Sequence, residues 1–93
     1  MFVYLLRCAD GSLYTGCTPD LDRRYAEHRA GKGAKYTKSH PPVAIAAAWE
    51  VSTRSDALRL EYRIKALGKQ EKEQLLLDAP AETMLGIPAV RFR

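Results

Sequence analysis

Five side chains in this 93-residue sequence could do chemistry together: Tyr4, Tyr14, Arg24, His28 and Glu61. A phenol or an imidazole can take up and return a proton. A guanidinium presents a planar fork to a phosphate. A carboxylate can hold a hard cation such as magnesium, which takes one or two carboxylates and fills its shell with water and phosphate oxygens. Each residue also has a plain structural reading. The tyrosines suit a sheet, while Arg24 and His28 suit the exposed side of a helix. Glu61 falls at the edge of an apolar helical stripe, where a carboxylate is solvated, paired with Arg or Lys, or ligated.

Four of the five depend on residues 2–28 for their positions. Two β-rich runs, Phe2 to Cys8 and Leu13 to Cys17, flank Ala9-Asp10-Gly11, a strong hairpin signal. A two-residue Asp10-Gly11 loop puts Tyr4 and Tyr14 on opposite faces. A three-residue loop with Gly11 in the left-handed region pairs Cys8 with Ser12 instead. Tyr4 then lies opposite Gly16 and Leu6 opposite Tyr14, and both phenols emerge on one face. The second register is the expected one, and Gly16 leaves space beside the Tyr4 ring. Asp20 is placed to cap a first helix reaching about Ala30. Leu21 and Tyr25 face the core on it, with Arg24 and His28 on the adjacent stripe over the rim of the sheet. Gly31 and Gly33 stop that helix, and a loop from Gly31 to Pro42 carries Lys32, Lys35, Tyr36 and Lys38.

Val43 to about Ser52 reads as a third strand, antiparallel beside the hairpin, although the alanines at 46–48 favour helix. Ser55 can cap a second helix running to Leu67, with Ala57, Leu60, Ile64 and Leu67 as its buried stripe. Lys69 to Asp78 reads as a third helix with Leu75 to Leu77 inward. Beyond Ala79 the chain either adds an edge strand or hangs free. The expectation is an α+β fold, a three-stranded antiparallel sheet flanked by helices. Residues 1–78 form its single domain, and residues 79–93 form a tail of unknown role.

A hydrophobic fraction of 46% with 28% charged residues is ordinary for a soluble globular protein. No apolar run reaches membrane length, and no basic leader precedes the first strand. Two cysteines without a disulfide framework suggest a reducing compartment, so the cytoplasm is the expected address. With the two histidines they match no zinc spacing. The net charge is +4, and residues 20–40 supply most of it, six Lys/Arg against three acids. That surplus is either a solvated face or a footprint for a polyanion.

Taken in order, these landmarks resemble the GIY-YIG nuclease superfamily, in particular its small stand-alone members. Phe2-Val3-Tyr4 stands at the first triplet and Tyr14-Thr15-Gly16 at the second. Arg24, ten residues after the second tyrosine, matches the arginine of the family's first helix. His28 matches the histidine or tyrosine four further on. Glu61 matches the metal-binding glutamate, within Ala57-Leu58-Arg59-Leu60-Glu61-Tyr62-Arg63-Ile64-Lys65. The loop from Gly31 to Thr37 is similar to the small-protein branch, and the resemblance covers about residues 1–78. Phe2-Val3 departs from Gly-Ile, and Thr15 from the usual branched apolar residue. Cys17 stands where many members carry lysine.

The resemblance implies a divalent-metal-dependent endonuclease that hydrolyses DNA phosphodiester bonds, with Mg2+ or Mn2+ on Glu61. No base-reading set is evident, so selection is for structure rather than sequence. Arg24 would meet the charge growing on the non-bridging oxygens. Tyr4, Tyr14 and His28 would form an acid–base group of unranked members. Only about one phenol in a thousand is ionised at pH 7, so Arg7, Arg24 or the metal would have to lower a tyrosine's pKa. Arg23, Lys32, Lys35 and Lys38 would contact phosphates, and Tyr36 would stack on an unpaired base. Two other readings compete: a non-cleaving module that binds DNA or RNA on the same fold, and a basic interaction domain for an acidic protein. A protein partner could supply the specificity that so small a domain lacks.

Overall fold

Gly11 takes a φ of +87°. Its N–H donates to the Cys8 carbonyl at 2.9 Å, and the Cys8 N–H donates to the Ser12 carbonyl at 2.9 Å. This is the three-residue loop, and it joins β1 (Phe2–Cys8) to β2 (Leu13–Thr18). Tyr4 lies opposite Gly16 and Leu6 opposite Tyr14, the expected register. The computed structural model describes residues 1–77 and 83–93.

After β2 the chain enters α1 (Leu21–Arg29), where the Asp20 side chain caps the Arg23 N–H. The stretch expected to be all loop contains a short helix, α2 (Lys35–Ser39). Its buried Thr37 donates its hydroxyl to the Ala34 carbonyl at 2.9 Å, a local bond that steadies so short a turn. β3 (Pro42–Glu50) begins and ends slightly earlier than expected and pairs antiparallel with β1. Its alanines are strand because of what surrounds them. Ala47 opposite Leu5 and Ala48 opposite Tyr4 are both fully buried, one beneath each face of the sheet. Small side chains there let elements pack closely on both sides, and packing overrides alanine's helical preference.

Next comes α3 (Arg54–Lys65), capped by Thr53 rather than Ser55, with the Thr53 hydroxyl accepting from the Asp56 N–H at 3.0 Å. Ala57, Leu60 and Ile64 are buried against Val3 and Leu5, as their spacing predicts. In α4 (Lys69–Leu77) Leu75 points inward, but Leu77 is 78% exposed. Consecutive positions on a helix turn away from one another, so three leucines in a row cannot share one face.

The described part of the tail does not hang free. β4 (Thr83–Met84) and β5 (Ile87–Pro88) form a small hairpin, and β6 (Val90–Arg91) pairs with β3. The main sheet therefore runs β2-β1-β3-β6, the expected three strands plus a short fourth. Met84, Ile87 and Ala89 are buried in the same core as Trp49 and Leu60, and the Arg93 side chain donates to Asp22 of α1 at 2.8 Å. The expected domain boundary at residues 78 and 79 lies outside the described residues. Two apolar layers result. Val3, Leu5 and Trp49 meet α3 on one face, while Tyr4, Leu6 and Ala48 meet Leu21 on the other. Among the described residues no helix is long and apolar enough to cross a membrane.

Ile87 is fully buried, so Ile87→Ala removes core contacts contributed by the tail and is expected to cost about 2–4 kcal/mol. Urea unfolding checks this, and a loss under about 1 kcal/mol would show that residues 83–93 add little to the core.

Candidate active site

Tyr4 runs across β2 at the one place where its neighbour has no side chain. A Cβ at Gly16 would collide with the Tyr4 hydroxyl. The phenol passes through that gap and ends 2.8 Å from His28 Nε2. On its other side the imidazole places Nδ1 2.8 Å from Thr37 Oγ1. The Thr37 proton is already given to the Ala34 carbonyl, so Thr37 accepts from His28 Nδ1–H. This assigns the tautomer: Nε2 is left bare and accepts from the Tyr4 hydroxyl. A second glycine makes room here too, since a Cβ at Gly33 would collide with the His28 ring. His28 is thus not on an exposed rim but 1% exposed.

Burial, followed by the charge of Arg24, holds the His28 pKa below its usual 6.5, so the imidazole is neutral at pH 7. Burial also pushes the Tyr4 phenol up to about 12, against an opposing hydrogen bond from Arg24. Arg24 itself is half-buried and donates to Glu27 at 3.2 Å, which fixes its reach. Arg7 takes no part, because it lies on the other face and makes a two-pronged pair with Glu73 at 2.6 Å. It cannot tune Tyr4 as the sequence reading allowed.

Tyr14 packs its ring on His28 at 5.3 Å and lies nearly parallel to Tyr36 at 5.9 Å. His40 stacks on Tyr36 at 4.0 Å, and the Tyr36 hydroxyl donates to Ser12 Oγ at 2.7 Å. Tyr36, 37% exposed, therefore already stacks on two rings of this chain, Tyr14 and His40. Lys32, Lys35 and Lys38 are exposed around this stack, and Arg23 is exposed on α1 beside Glu27 at 3.9 Å.

Glu61 approaches from the opposite face. Cys17 Sγ donates to Glu61 Oε1 at 3.6 Å, and Lys65 Nζ lies 3.2 Å from Oε2. The four other predicted residues form one cluster, while Glu61 lies across β2 from them. The strand between them, β2, is the outer strand of the sheet. Cys17, opposite Val3 on the α3 face of β2, is the strand residue that Glu61 touches. Burial, then the Glu61 charge, raises the Cys17 pKa, so it stays a thiol rather than a soft thiolate ligand. Among the described residues no three His, Cys, Asp or Glu side chains gather at one point. Glu61, half-buried and paired with Lys65, is a single carboxylate, so a hard ion such as Mg2+ or Mn2+ held there would fill its shell with water and phosphate oxygens. Sequence reasoning missed Thr37, Gly33 and Glu27 as positioning residues. Only Glu27, one turn from both Arg23 and Arg24, carried a local signal.

The tautomer is directly measurable. Long-range proton–nitrogen spectra are expected to show His28 protonated at Nδ1 at pH 7, with a titration midpoint below 6.5. An Nε2-protonated ring, or a midpoint above 6.5, contradicts the hydrogen-bond chain.

The GIY-YIG catalytic domain family matches residues 1–74. The UPF0213 protein BH0048 of Halalkalibacterium halodurans is 48% identical over 75 residues, covering 81% of this chain and 80% of that protein. A UPF0213 protein of Yersinia pestis strain Pestoides F is 51% identical over 78 residues, covering 84% and 82%. The solution NMR structure of the UPF0213 protein BH0048 from Bacillus halodurans superposes with a TM-score of 0.54 at 47% identity, covering 82% of this chain and 81% of that one. Since the matched stretch contains Tyr4, Tyr14, Arg24, His28 and Glu61 on the hairpin and helices that hold them, the chain belongs to the GIY-YIG family.

Proposed function

We propose that this chain is a divalent-metal-dependent endonuclease that hydrolyses DNA phosphodiester bonds, selecting nucleic-acid structure over sequence. The observation that carries the reading is the chain Tyr4–His28–Thr37 with Arg24 at its flank. A phenol with a pKa of about 12 is ionised only to about one part in a hundred thousand at pH 7, so a standing phenolate is not the base. A relay avoids it. As water attacks phosphorus, its proton passes to the Tyr4 oxygen while the Tyr4 proton passes to His28 Nε2. The phosphorus–oxygen bond to the leaving strand breaks, its alkoxide takes a proton from solvent water, and the imidazolium at His28 returns its extra proton to solvent, which restores neutral His28 and the Tyr4 phenol. This ranks the acid–base group that the sequence left unranked, with Tyr4 and His28 acting as a pair. Tyr14 packs on the imidazole and orients it.

Arg24 supplies a fixed positive fork for the oxygens that gain charge, held ready by Glu27. Glu61 is the residue that would hold Mg2+ or Mn2+, whose chemistry when bound is to stabilise the leaving oxygen. Lys65, paired with Glu61, brings a cation to the neighbourhood where many relatives place lysine and this chain has Cys17. Arg23, Lys32, Lys35 and Lys38 form the sequence-independent footprint for the backbone. The reading places the protein in the cytoplasm with DNA as partner and leaves room for a protein that adds specificity. Cys17, a neutral thiol beside Glu61, favours one alternative, a module that binds DNA or RNA without cutting.

A nicked or branched duplex with magnesium or manganese separates the two. Metal-dependent cleavage is expected, lost in Glu61→Gln with binding retained; salt-sensitive binding without cleavage selects the module. Tyr4→Phe is expected to slow single-turnover cleavage by roughly 10²–10⁴-fold. Because His28 must be neutral to accept the proton, the rate is expected to fall with acid along a limb centred below pH 6.5. That limb should disappear in His28→Gln, and an unchanged profile removes His28 from the relay.

A further inference from the structure

The free edge of β2 carries a pocket that the catalytic cluster does not use up. Leu13, Tyr14 and Thr15 of β2, Tyr36 of α2, Lys65 of α3 and Lys72 of α4 enclose about 340 Å³. Thr15 lies in its wall, 3% exposed, and its hydroxyl is, among the described residues, the buried side-chain polar atom with no hydrogen-bond partner. Buried polar groups are nearly always satisfied, so an orphan hydroxyl on a residue that lines a pocket marks a place for a ligand. Valine has the same shape as threonine, so packing alone does not require the hydroxyl.

Two more donors aim at the same space. Cys8 bonds Ser12, and bonded pairs alternate along an antiparallel ladder. The N–H groups of Leu13, Thr15 and Cys17, together with their carbonyls, therefore point away from β1, out over the edge. Lys72 is half-buried, and among the described residues the ion pairs of this region are Lys65 with Glu61, and Arg7 and Lys69 with Glu73, leaving Lys72 in none. An ammonium, an outward amide and an unpaired hydroxyl around a concave space are donors awaiting an acceptor, and a phosphate supplies several oxygens at once.

We propose that this pocket seats a backbone phosphate of the bound strand next to the one that reacts, with Lys72 and Thr15 as its determinants. The position beside the reacting phosphate rests on the nuclease reading; the phosphate seat itself rests on the pocket. A seated neighbour fixes the strand's register over Tyr4 and Arg24, converting binding at a distance into orientation at the reacting centre.

The full chain carrying Glu61→Gln serves as a non-cleaving reference, with binding to a nicked duplex followed by fluorescence anisotropy across a salt series. Adding Lys72→Ala is expected to weaken binding and to reduce the salt slope by about 1. Adding Thr15→Val is expected to weaken binding about threefold or more with the slope unchanged, while the melting temperature holds or rises. Inorganic phosphate is expected to shift the Thr15 and Lys72 amide resonances of the reference protein, and to do so less after Thr15→Val. Unchanged affinity and slope in both variants overturn the proposal, as does an effect seen only with duplexes bearing a terminal phosphate. If the wild type never cleaves but the Lys72 and Thr15 effects appear, the nuclease reading falls and the phosphate seat stands. Metal-dependent cleavage without those effects gives the reverse.

Discussion

The Tyr4 phenol crosses Gly16 and ends 2.8 Å from the imidazole of His28, tying the central strand of the hairpin to the helix that follows it. A buried hydroxyl needs a partner, and so does a buried imidazole. Each satisfies the other, and Thr37 satisfies the remaining nitrogen. The arrangement holds in one register only. A slip of one residue between β1 and β2 would send Tyr4 to the α3 face, into the company of Leu60 and Ile64, where no imidazole waits. The turn at Gly11 therefore fixes which residues share the face of Tyr4, although it touches none of them.

The outer strand β2 has a second role. An exposed edge usually invites unwanted pairing. Here it is short and flanked by Tyr36 on one side and by Lys65 and Lys72 on the other. The Tyr4–His28 pair stands on one face of β2, and the Glu61 carboxylate, bonded to Cys17, stands on the α3 face. The opposite side of the hairpin is covered by β3 and then β6, so the tail closes the flank of the sheet that lacks catalytic side chains.

Much of this was legible from residue order. Asp10-Gly11 announced the hairpin, and a three-residue loop was the version that put two tyrosines together. Ala57, Leu60 and Ile64 announced α3 and its buried face. What the sequence concealed was long-range. Nothing local marks Thr37 as the partner of a histidine nine residues earlier, or Gly33 as the gap that lets the imidazole in. Tyr36 looked like a free aromatic because its neighbours in the stack, Tyr14 and His40, come from a different element and from just past the helix end. The cap at Thr53 and the outward Leu77 were errors of one or two residues, the scale on which helix ends and faces are set by the rest of the chain. Residue order suggested that Glu61 converges with the two tyrosines and Arg24 on one hollow; instead it meets Cys17, which alternates to the face opposite Gly16.

In the proposed reading β2 is the thin wall between the Tyr4–His28 pair and the carboxylate that would hold a metal. Paramagnetic broadening by substoichiometric Mn2+ in proton–nitrogen spectra tests that most directly. Selective broadening of the Thr15, Gly16 and Cys17 amides together with Glu61, absent in Glu61→Gln, is the predicted result. Broadening centred elsewhere, or identical in the two proteins, contradicts it.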